Sequence, residues 1–243
     1  MAKIRLDKFV CSALVVTRSE AHKIIRCGKI EVDGKVQKEI SFKVDEEKNE
    51  VLYNSKPISF VKYRYYVLNK PAGYITSTED ERDPTIMEIL PDEIKKMKLF
   101  PVGRLDKDTE GLVLLTDNGH LSHFLLSPKH HVDKKYFLIS DLPLTQDDVQ
   151  KFLQGVDIGE DKLTLPARLE IDENDPTRAH ITICEGKFHQ IKRMLNAVGK
   201  NVVYLERVSF ANLTLDKSLE RGEVRELKDE EIEFLENLAP SKE

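Results

Sequence analysis

Three carboxylates lie close together in the glycine-bounded stretch GRLDKDTEGLVLLTDNG, residues 103–119. Asp106, Asp108 and Glu110 are followed by an apolar run that begins at Leu112. Carboxylates at this spacing can bind a cation, close a turn, or act as a nucleophile or base. The surrounding sequence must decide among a metal site, a structural turn and a catalytic group.

A calcium loop is suggested by Asp106, Asp108 and Glu110, which have the spacing of the first three ligands of an EF-hand. The last ligand position, however, holds Asp117 instead of a bidentate Glu, and Leu-Val-Leu-Leu occupies the positions between. Calcium is therefore disfavoured. Magnesium held by two of the carboxylates stays open, although no phosphate-binding glycine motif accompanies it.

A turn and a catalytic group differ in how firmly the loop is supported. Leu105 and the apolar strand from Leu112 anchor its two ends, which predicts a rigid support for Asp106. Asp108 and Glu110 alternate away and are expected to be solvated. An Asp beside glycine is ordinarily a turn residue, so the spacing alone leaves both interpretations open.

The first 45 residues predict two short helices and a hairpin. Apolar residues recur at helical spacing over residues 6–14. Thr17 and Glu20 have the spacing of a capping box that begins a second helix, and Gly28 is expected to end it. The Asp33-Gly34 pair then predicts a tight turn between two strands.

Charge is distributed unevenly along the chain. Residues 1–43 contain ten Lys/Arg and five Asp/Glu, whereas residues 220–243 contain four and nine, so a basic first domain is hidden by a net charge of −5. A basic first domain can bind nucleic-acid phosphates, although a solvated surface of mixed sign stays open. The candidate residues for such binding are Arg5, Lys8, Arg18, Arg26 and Lys29.

A linker is expected at residues 54–63, between a first domain of residues 1–55 and a second domain of residues 64–243. The second domain alternates short strands with few helices, which predicts an α+β fold on a mainly antiparallel mixed sheet. Strands are expected at 64–68, 112–115, 136–139, 164–171, 179–184 and 201–206, a turn at 117–119, and helices at 145–155 and 188–198.

Composition restricts the class of protein further. The 40% hydrophobic content is sufficient for packed cores. Three cysteines without CxxC spacing argue against a disulfide framework or zinc site and for a reducing cytoplasm. No apolar run reaches the roughly 20 residues of a membrane span, so no membrane partner is expected. A cytoplasmic monomer is the resulting expectation.

Long motifs resemble two known families. RLDKFVCSALVVTRSEAHKIIRCGKIEVDGK is similar to the alpha-L RNA-binding motif found in ribosomal protein S-four. GRLDKDTEGLVLLTDNG closely resembles the signature of RsuA-type pseudouridine synthases. YYVLNKPAGYITST, DKKYFLIS and EGKFHQIKRMLNAVG resemble further segments of that family, in the same order. Together these motifs span nearly the whole chain.

This resemblance implies an enzyme that breaks the N1–C1′ bond of uridine and rejoins the uracil through C5. It implies that Asp106 is the nucleophile, that Tyr136 is an active-site residue and that Lys192 occupies the family's basic position. No cofactor is expected. Attack on C1′ and removal of a ribose proton both stay open as the role of Asp106.

An ionised carboxylate in a cleft needs a nearby cation. On the helix expected at 188–198, Lys192 lies on the flank of the apolar stripe, whereas Arg193 points almost directly away. Lys192 is thus the expected partner of Asp106, while Arg193 and His189 are expected on an exposed face that contacts RNA phosphate. Tyr136 can stack on uracil, and Arg104 could fill the space that a displaced uridine leaves.

The segment SPKHHVDKK resembles the small-subunit member of the family, which favours uridine 516 of 16S rRNA as the target. The expected partner is therefore 16S rRNA or a small-subunit assembly intermediate. A large-subunit rRNA synthase, a non-catalytic RNA-binding protein and a nucleosidase are the alternatives. A glycosidase would place two carboxylates at one substrate bond, and only Asp106 has a supported setting.

Overall fold

A computed structural model describes residues 3–239 and divides the chain into two compact units. The first unit extends to Arg64 and includes Asp92–Lys98, and the second contains Tyr65–Pro91 and the chain from Leu99 onwards. The expected α+β fold, with a small helix-helix-hairpin domain and a larger, mainly antiparallel domain, is confirmed. Within residues 3–239, no helix has the length and apolar character needed to cross a membrane.

In the first unit, two helices pack on small sheets, and the second helix has a side-chain cap. Thr17 and Glu20 form the expected capping box, in which the Glu20 amide donates to Thr17 Oγ1 over 3.3 Å and the Thr17 amide donates to the Glu20 carboxylate over 2.8 Å. The fully buried Leu6, Val10 and Ile25 belong to the core that the helices share with the strands. The elements are β1 Ile4–Arg5, α1 Leu6–Leu14, α2 Arg18–Arg26, β2 Ile30–Val32, β3 Lys35–Val36, β4 Lys43–Val44, β5 Val51–Tyr53, β6 Lys56–Pro57 and, in the inserted segment, α3 Asp92–Lys95.

The predicted linker is wrong in its first part. Asn54 and Ser55 both have left-handed backbones, with φ of 48° and 62°. Two such residues in succession form the turn that suits a tight hairpin, so β5 and β6 pair across them. Pro57 is tolerated because β6 is the edge strand of its sheet.

The second unit contains a nine-stranded sheet. Its strands are β7 Tyr65–Lys70, β8 Phe100–Val102, β9 Glu110–Thr116, β10 Lys134–Ser140, β11 Arg168–Ile171, β12 Arg178–Ile183, β13 Val202–Phe210, β14 Leu213–Thr214 and β15 Val224–Glu226. They lie in the order β11-β12-β10-β13-β9-β7-β15, while β14 pairs with β13 and β8 pairs with β9. Neighbouring strands are antiparallel except β9 and β13, which pair in parallel at Glu206–Glu110 and Arg207–Gly111.

Gly111 makes this parallel contact possible. Its φ is +98°, and a Cβ at this position would lie 2.3 Å from the carbonyl oxygen of Arg207. Only glycine accommodates both the conformation and the close approach. The glycine thereby fixes the carboxylate loop against β13.

The helices of the second unit are α4 Gly119–Leu126, α5 Gln146–Gln154, α6 Gln190–Ala197 and α7 Asp229–Leu238. The turn expected at 117–119 is confined to Asp117 and Asn118, because the Asn118 side chain accepts from the Leu121 amide and caps α4, which begins at Gly119. α6 begins two residues later than expected. His189 has a left-handed backbone with φ of 49°, which places it outside the helix.

Candidate active site

The loop that carries Asp106 is held by one buried ammonium group. Lys70, at the end of β7, is fully buried. Its Nζ donates to the carbonyl oxygens of Asp106 over 3.1 Å, Lys107 over 3.2 Å and Thr109 over 2.7 Å. Burial lowers the pKa of Lys70 to about 8, although the nearby Glu110 and other carboxylates oppose the shift. The lysine therefore fixes the backbone of the loop.

A threonine fixes the residue before Asp106 from a second side. Thr76 is buried, and its Oγ1 donates to the Leu105 carbonyl over 2.9 Å and accepts from the Leu105 amide over 3.0 Å. The Thr109 amide also donates to the Asp106 carbonyl over 3.1 Å. Together with Lys70, these bonds leave the Asp106 backbone little freedom to move. The side chain is thus presented from a rigid support.

Two basic side chains approach the Asp106 carboxylate, one from α6 and one from the residue before this helix. Lys192 Nζ lies 3.2 Å from Asp106 Oδ2, and His189 Nε2 lies 3.6 Å from Oδ1. The Asp106 side chain is 29% exposed, so it remains accessible from outside. An accessible carboxylate beside an ammonium group can act as a nucleophile or base.

Lys192 is shared between two carboxylates. Its Nζ donates to Asp108 Oδ1 over 2.6 Å while it contacts Asp106. Burial acts to lower the pKa of Lys192, but the hydrogen bond with Asp108 and the charge of Asp106 outweigh it, so the pKa lies above its ordinary value. Burial acts to raise the pKa of Asp108, and the bond from Lys192 outweighs that effect, so this pKa is lowered. Lys192 and Asp108 therefore favour each other's charged forms, and Asp106 lies beside the same ammonium group.

A cleft beside Asp106 is lined by both polar and apolar side chains. Tyr136 on β10 is 7% exposed and forms part of the cleft lining, opposite Arg207 in the strand register. Arg104 is exposed at the rim. The further lining includes Leu105, Thr109, Ile183, Lys187, His189, Gln190, Lys192 and Leu205. The structure thus brings Asp106, Tyr136, Lys192, Arg104 and His189 around one cleft.

Arg193 is directed elsewhere. Its Nη1 donates to Glu160 Oε1 over 2.8 Å and to the Phe188 carbonyl over 3.1 Å. The expectation that His189 and Arg193 share one exposed helix face is wrong, because α6 begins after His189 and helical spacing does not relate the two residues. An RNA contact by either residue stays a prediction.

In the first unit, a buried carboxylate organises two of the predicted RNA-binding arginines. Asp7 is fully buried and accepts from Arg5 Nε over 3.1 Å and from Arg18 Nη2 over 3.2 Å. His22 Nε2 lies 3.4 Å from the same carboxylate. The bond from Arg5 outweighs burial and holds the pKa of Asp7 well below its usual range. Asp7 therefore fixes the directions of these side chains.

The remaining predicted RNA-binding residues of the first unit are exposed. The Lys8 ammonium lies 5.9 Å from the centre of the Phe60 ring. Arg26, at the end of α2, and Lys29, before β2, have exposed side chains. Contacts of these lysines and arginines with RNA stay predictions.

Sequence reasoning missed Lys70 and Thr109. A lysine at the end of a buried strand, in NKPAG, is the signal that could have identified Lys70. Thr109 is 2% exposed, and its Oγ1 has no hydrogen-bond partner among residues 3–239. Thr109 also contributes to the lining of the cleft.

The expected solvation of Glu110 is wrong. Glu110 Oε2 accepts from Tyr204 Oη over 2.7 Å and from Arg221 Nε over 2.9 Å. Arg221 also donates to Glu206 Oε1 over 2.7 Å. The parallel pairing of β9 with β13 brings these residues together, and short-range alternation contains no information about that pairing.

Comparison with known proteins assigns this geometry to a family. The RNA pseudouridylate synthase model matches residues 64–197, more than half of the chain. The chain belongs to this family. An S4 domain matches residues 4–51. The two matches confirm the resemblance to RsuA-type pseudouridine synthases with an N-terminal RNA-binding motif, so the protein is an isomerase that acts on uridine in RNA.

Relatives extend over almost the entire chain. "Ribosomal small subunit pseudouridine synthase A" of Escherichia coli (strain K12) is 43% identical over 231 residues, which are 94% of this chain and 98% of that protein. "Uncharacterized RNA pseudouridine synthase YtzG" of Bacillus subtilis (strain 168) is 41% identical over 234 residues, 96% of this chain and 98% of that one. A structure described as "Crystal structure of pseudouridylate synthase" is 39% identical with a TM-score of 0.67, covering 96% of this chain and 99% of its own.

Proposed function

We propose that this protein converts uridine 516 of 16S rRNA to pseudouridine, with the Asp106 carboxylate acting on the ribose. The observation that carries the proposal is the placement of Asp106 in the cleft, with Lys192 Nζ 3.2 Å from its Oδ2. A carboxylate that lies in an accessible cleft and contacts an ammonium group is suited to act as a nucleophile or base. Tyr136 supplies an aromatic wall for the uracil.

The reaction exchanges one bond of the uracil for another. The N1–C1′ bond breaks, the detached uracil turns, and a C5–C1′ bond forms. The proton on C5 is lost to solvent, and N1 gains a proton. An ionised Asp106 serves either by attacking C1′ or by removing a ribose proton, and Lys70 keeps the carboxylate in place throughout by holding its loop.

The choice of substrate rests on three features. The relative from Escherichia coli is described as acting on the small ribosomal subunit. The S4 domain match at residues 4–51 coincides with the basic segment, where cations can neutralise RNA phosphates. The segment SPKHHVDKK resembles the small-subunit member of the family.

Tritium release tests the proposal. 16S and 23S rRNA transcripts labelled with tritium at uridine C5 are incubated with the protein, both bare and after assembly with ribosomal proteins. We expect release from 16S rRNA that disappears when uridine 516 is replaced by cytidine. Release from 23S rRNA alone, or from 16S rRNA despite the replacement, would refute the assigned uridine. A lack of release from every substrate would refute the function.

A further inference from the structure

Phe188 places an apolar ring in solvent beside the active-site cleft. Its exposure of 74% is the highest of the large hydrophobic residues that the structure describes. Its two chain neighbours, Lys187 and His189, both form part of the cleft lining. A single exposed hydrophobic residue is ordinary on a protein surface, so the inference depends on how this ring is held.

The ring of Phe188 stacks on the ring of His189. Their centroids are 3.8 Å apart, and their planes differ by 20°. His189 Nε2 in turn lies 3.6 Å from Asp106 Oδ1. Two stacked rings therefore lead from the Asp106 carboxylate toward solvent, with His189 next to the carboxylate and Phe188 exposed.

The backbone that carries the two rings is fixed. His189 has a left-handed conformation with φ of 49°, which a residue with a side chain adopts at a cost in free energy. Arg193 Nη1 donates to the Phe188 carbonyl over 3.1 Å, and Glu160 holds the same guanidinium at 2.8 Å. Because the hydrogen bond from Arg193 holds the Phe188 carbonyl against α6, the backbone keeps the two rings in one orientation.

An exposed, prearranged aromatic ring beside a cleft for uridine matches the chemistry of an unstacked nucleobase. A uridine must leave its stack to reach Asp106, and this leaves its neighbouring bases without one stacking partner. Aromatic side chains replace lost base stacking in proteins that bind single-stranded RNA. The exposed Arg104 provides positive charge at the same cleft for an adjoining phosphate.

We infer that Phe188 and His189 form a stacking platform for the base of one nucleotide adjacent to the target uridine. The inference rests on the proposed function, because it requires a uridine displaced from RNA into the cleft. The platform holds the substrate strand in place, whereas Tyr136 lies inside the cleft. Loss of the Phe188 ring should therefore raise KM more than it lowers kcat.

Three variants at one position separate stacking from simple apolar contact. Phe188→Ala removes the ring, Phe188→Leu keeps an apolar side chain without a π face, and Phe188→Trp keeps an aromatic ring. Phe234→Ala on α7 is the matched control, since Phe234 is also exposed, at 38%. The substrates are ligated 16S rRNAs that carry either the natural nucleotide or an abasic nucleotide on the 5′ or 3′ side of the target.

We expect Phe188→Ala and Phe188→Leu to raise KM for natural RNA about 5- to 150-fold, the range found for the loss of one stacked base. Phe188→Trp and Phe234→Ala should remain within about threefold of the wild type. One abasic substrate should raise the KM of the wild type to a similar extent, and Phe188→Ala should cause no further increase on that substrate.

Two results would overturn the inference. One is Phe188→Leu activity equal to the wild type, which would reduce the ring to an apolar contact. The other is an effect of Phe188→Ala that is equally large on natural RNA and on both abasic RNAs. Tritium release by the wild type on natural RNA is the reference, so a lack of release there identifies failure of the proposed function instead.

Discussion

Asp7 in the first unit and Asp106 in the second are both carboxylates surrounded by cations, and they differ in how completely their oxygens are satisfied. Asp7 is fully buried and accepts from two arginines and from the Lys8 amide at 2.9 Å. Asp106 is 29% exposed, and its lysine is shared with Asp108. The comparison separates a carboxylate that maintains structure from one that is available for reaction.

Hydrogen bonds explain the difference. At Asp7, Oδ1 accepts from Arg5 and the Lys8 amide, while Oδ2 accepts from Arg5 and Arg18. No lone-pair direction is left for a substrate. At Asp106, the ionisable side chains that contact the carboxylate among residues 3–239 are Lys192, 3.2 Å from Oδ2, and His189, 3.6 Å from Oδ1. The rigidity of this second site comes from the backbone, through Lys70, and leaves the carboxylate oxygens open.

Removing the shared ammonium should have the largest effect among the supporting groups. Lys192→Met leaves Asp106 and Asp108 without it, and we expect kcat to fall about 10²- to 10³-fold, as for other preorganised electrostatic groups. Stability should change little, because the methionine side chain retains most of the packing of the lysine's apolar stem. Steady-state tritium release measures the rate. Asp108→Asn is the control, with an expected loss below fivefold, and an equal loss in both variants would contradict the role of Lys192.

Asp7→Asn should have the opposite profile. It keeps the shape of the side chain but removes the charge that binds Arg5 and Arg18, so the free energy of unfolding should fall by about 2–3 kcal/mol. The kcat on saturating RNA should not change. Urea unfolding of both proteins measures the difference. A variant as stable as the wild type would show that the charge of Asp7 does not contribute to the free energy of unfolding.

The pH dependence of this difference has a defined sign. Because the pKa of Asp7 is lowered in the folded state, its contribution to stability is present above the unfolded-state pKa of about 3.9 and is lost as the pH falls toward the folded-state value. The stability difference between the wild type and Asp7→Asn should therefore be constant from pH 5 to 7 and narrow below about pH 4. A difference that widened in acid would reverse this assignment.

The effect of replacing Arg104 should depend on whether the RNA substrate is folded. Arg104→Ala should reduce activity about tenfold more on structured rRNA than on a short single strand, because only a stacked uridine must be displaced. Tritium release on the two substrates gives the ratio. Equal losses on both substrates would assign Arg104 to general phosphate binding.

The smallest effect is expected from the exposed cations of the first unit. Replacing Arg26 and Lys29 together by Gln should weaken rRNA binding a few-fold at moderate salt and lower the slope of log K against log salt by up to about two. Binding titrations at several salt concentrations measure this slope. An unchanged slope would remove these residues from the RNA contact, whereas the fold of the unit would stand.

Local patterns predicted much of the structure. The capping boxes at Thr17 and Thr145 confirm two helix starts, and the Asp33-Gly34 turn confirms the first hairpin. These features involve residues that are three or four positions apart, so their physics is contained in the sequence. The resemblance to the synthase family identified Asp106, Tyr136 and Lys192, and the structure places them at one cleft.

Features that depend on distant pairing or on single backbone angles were not predictable in this way. Lys70 holds a loop that follows it by 36 to 39 residues, and its role becomes visible only when β7 and β9 pair. Glu110 is engaged because β9 lies parallel to β13. The left-handed residue His189 shortens α6 and redirects a side chain that helical spacing assigns to another face.

Asp106→Asn shows whether the open carboxylate of Asp106 performs the chemistry, because it removes the charge and keeps the shape of the side chain. Tritium release from 16S rRNA is followed in a single turnover with the protein in excess, and RNA binding is measured in the same samples. We predict binding within about twofold of the wild type and release at least about 10⁴-fold slower. Release within tenfold of the wild type at equal occupancy would contradict the account.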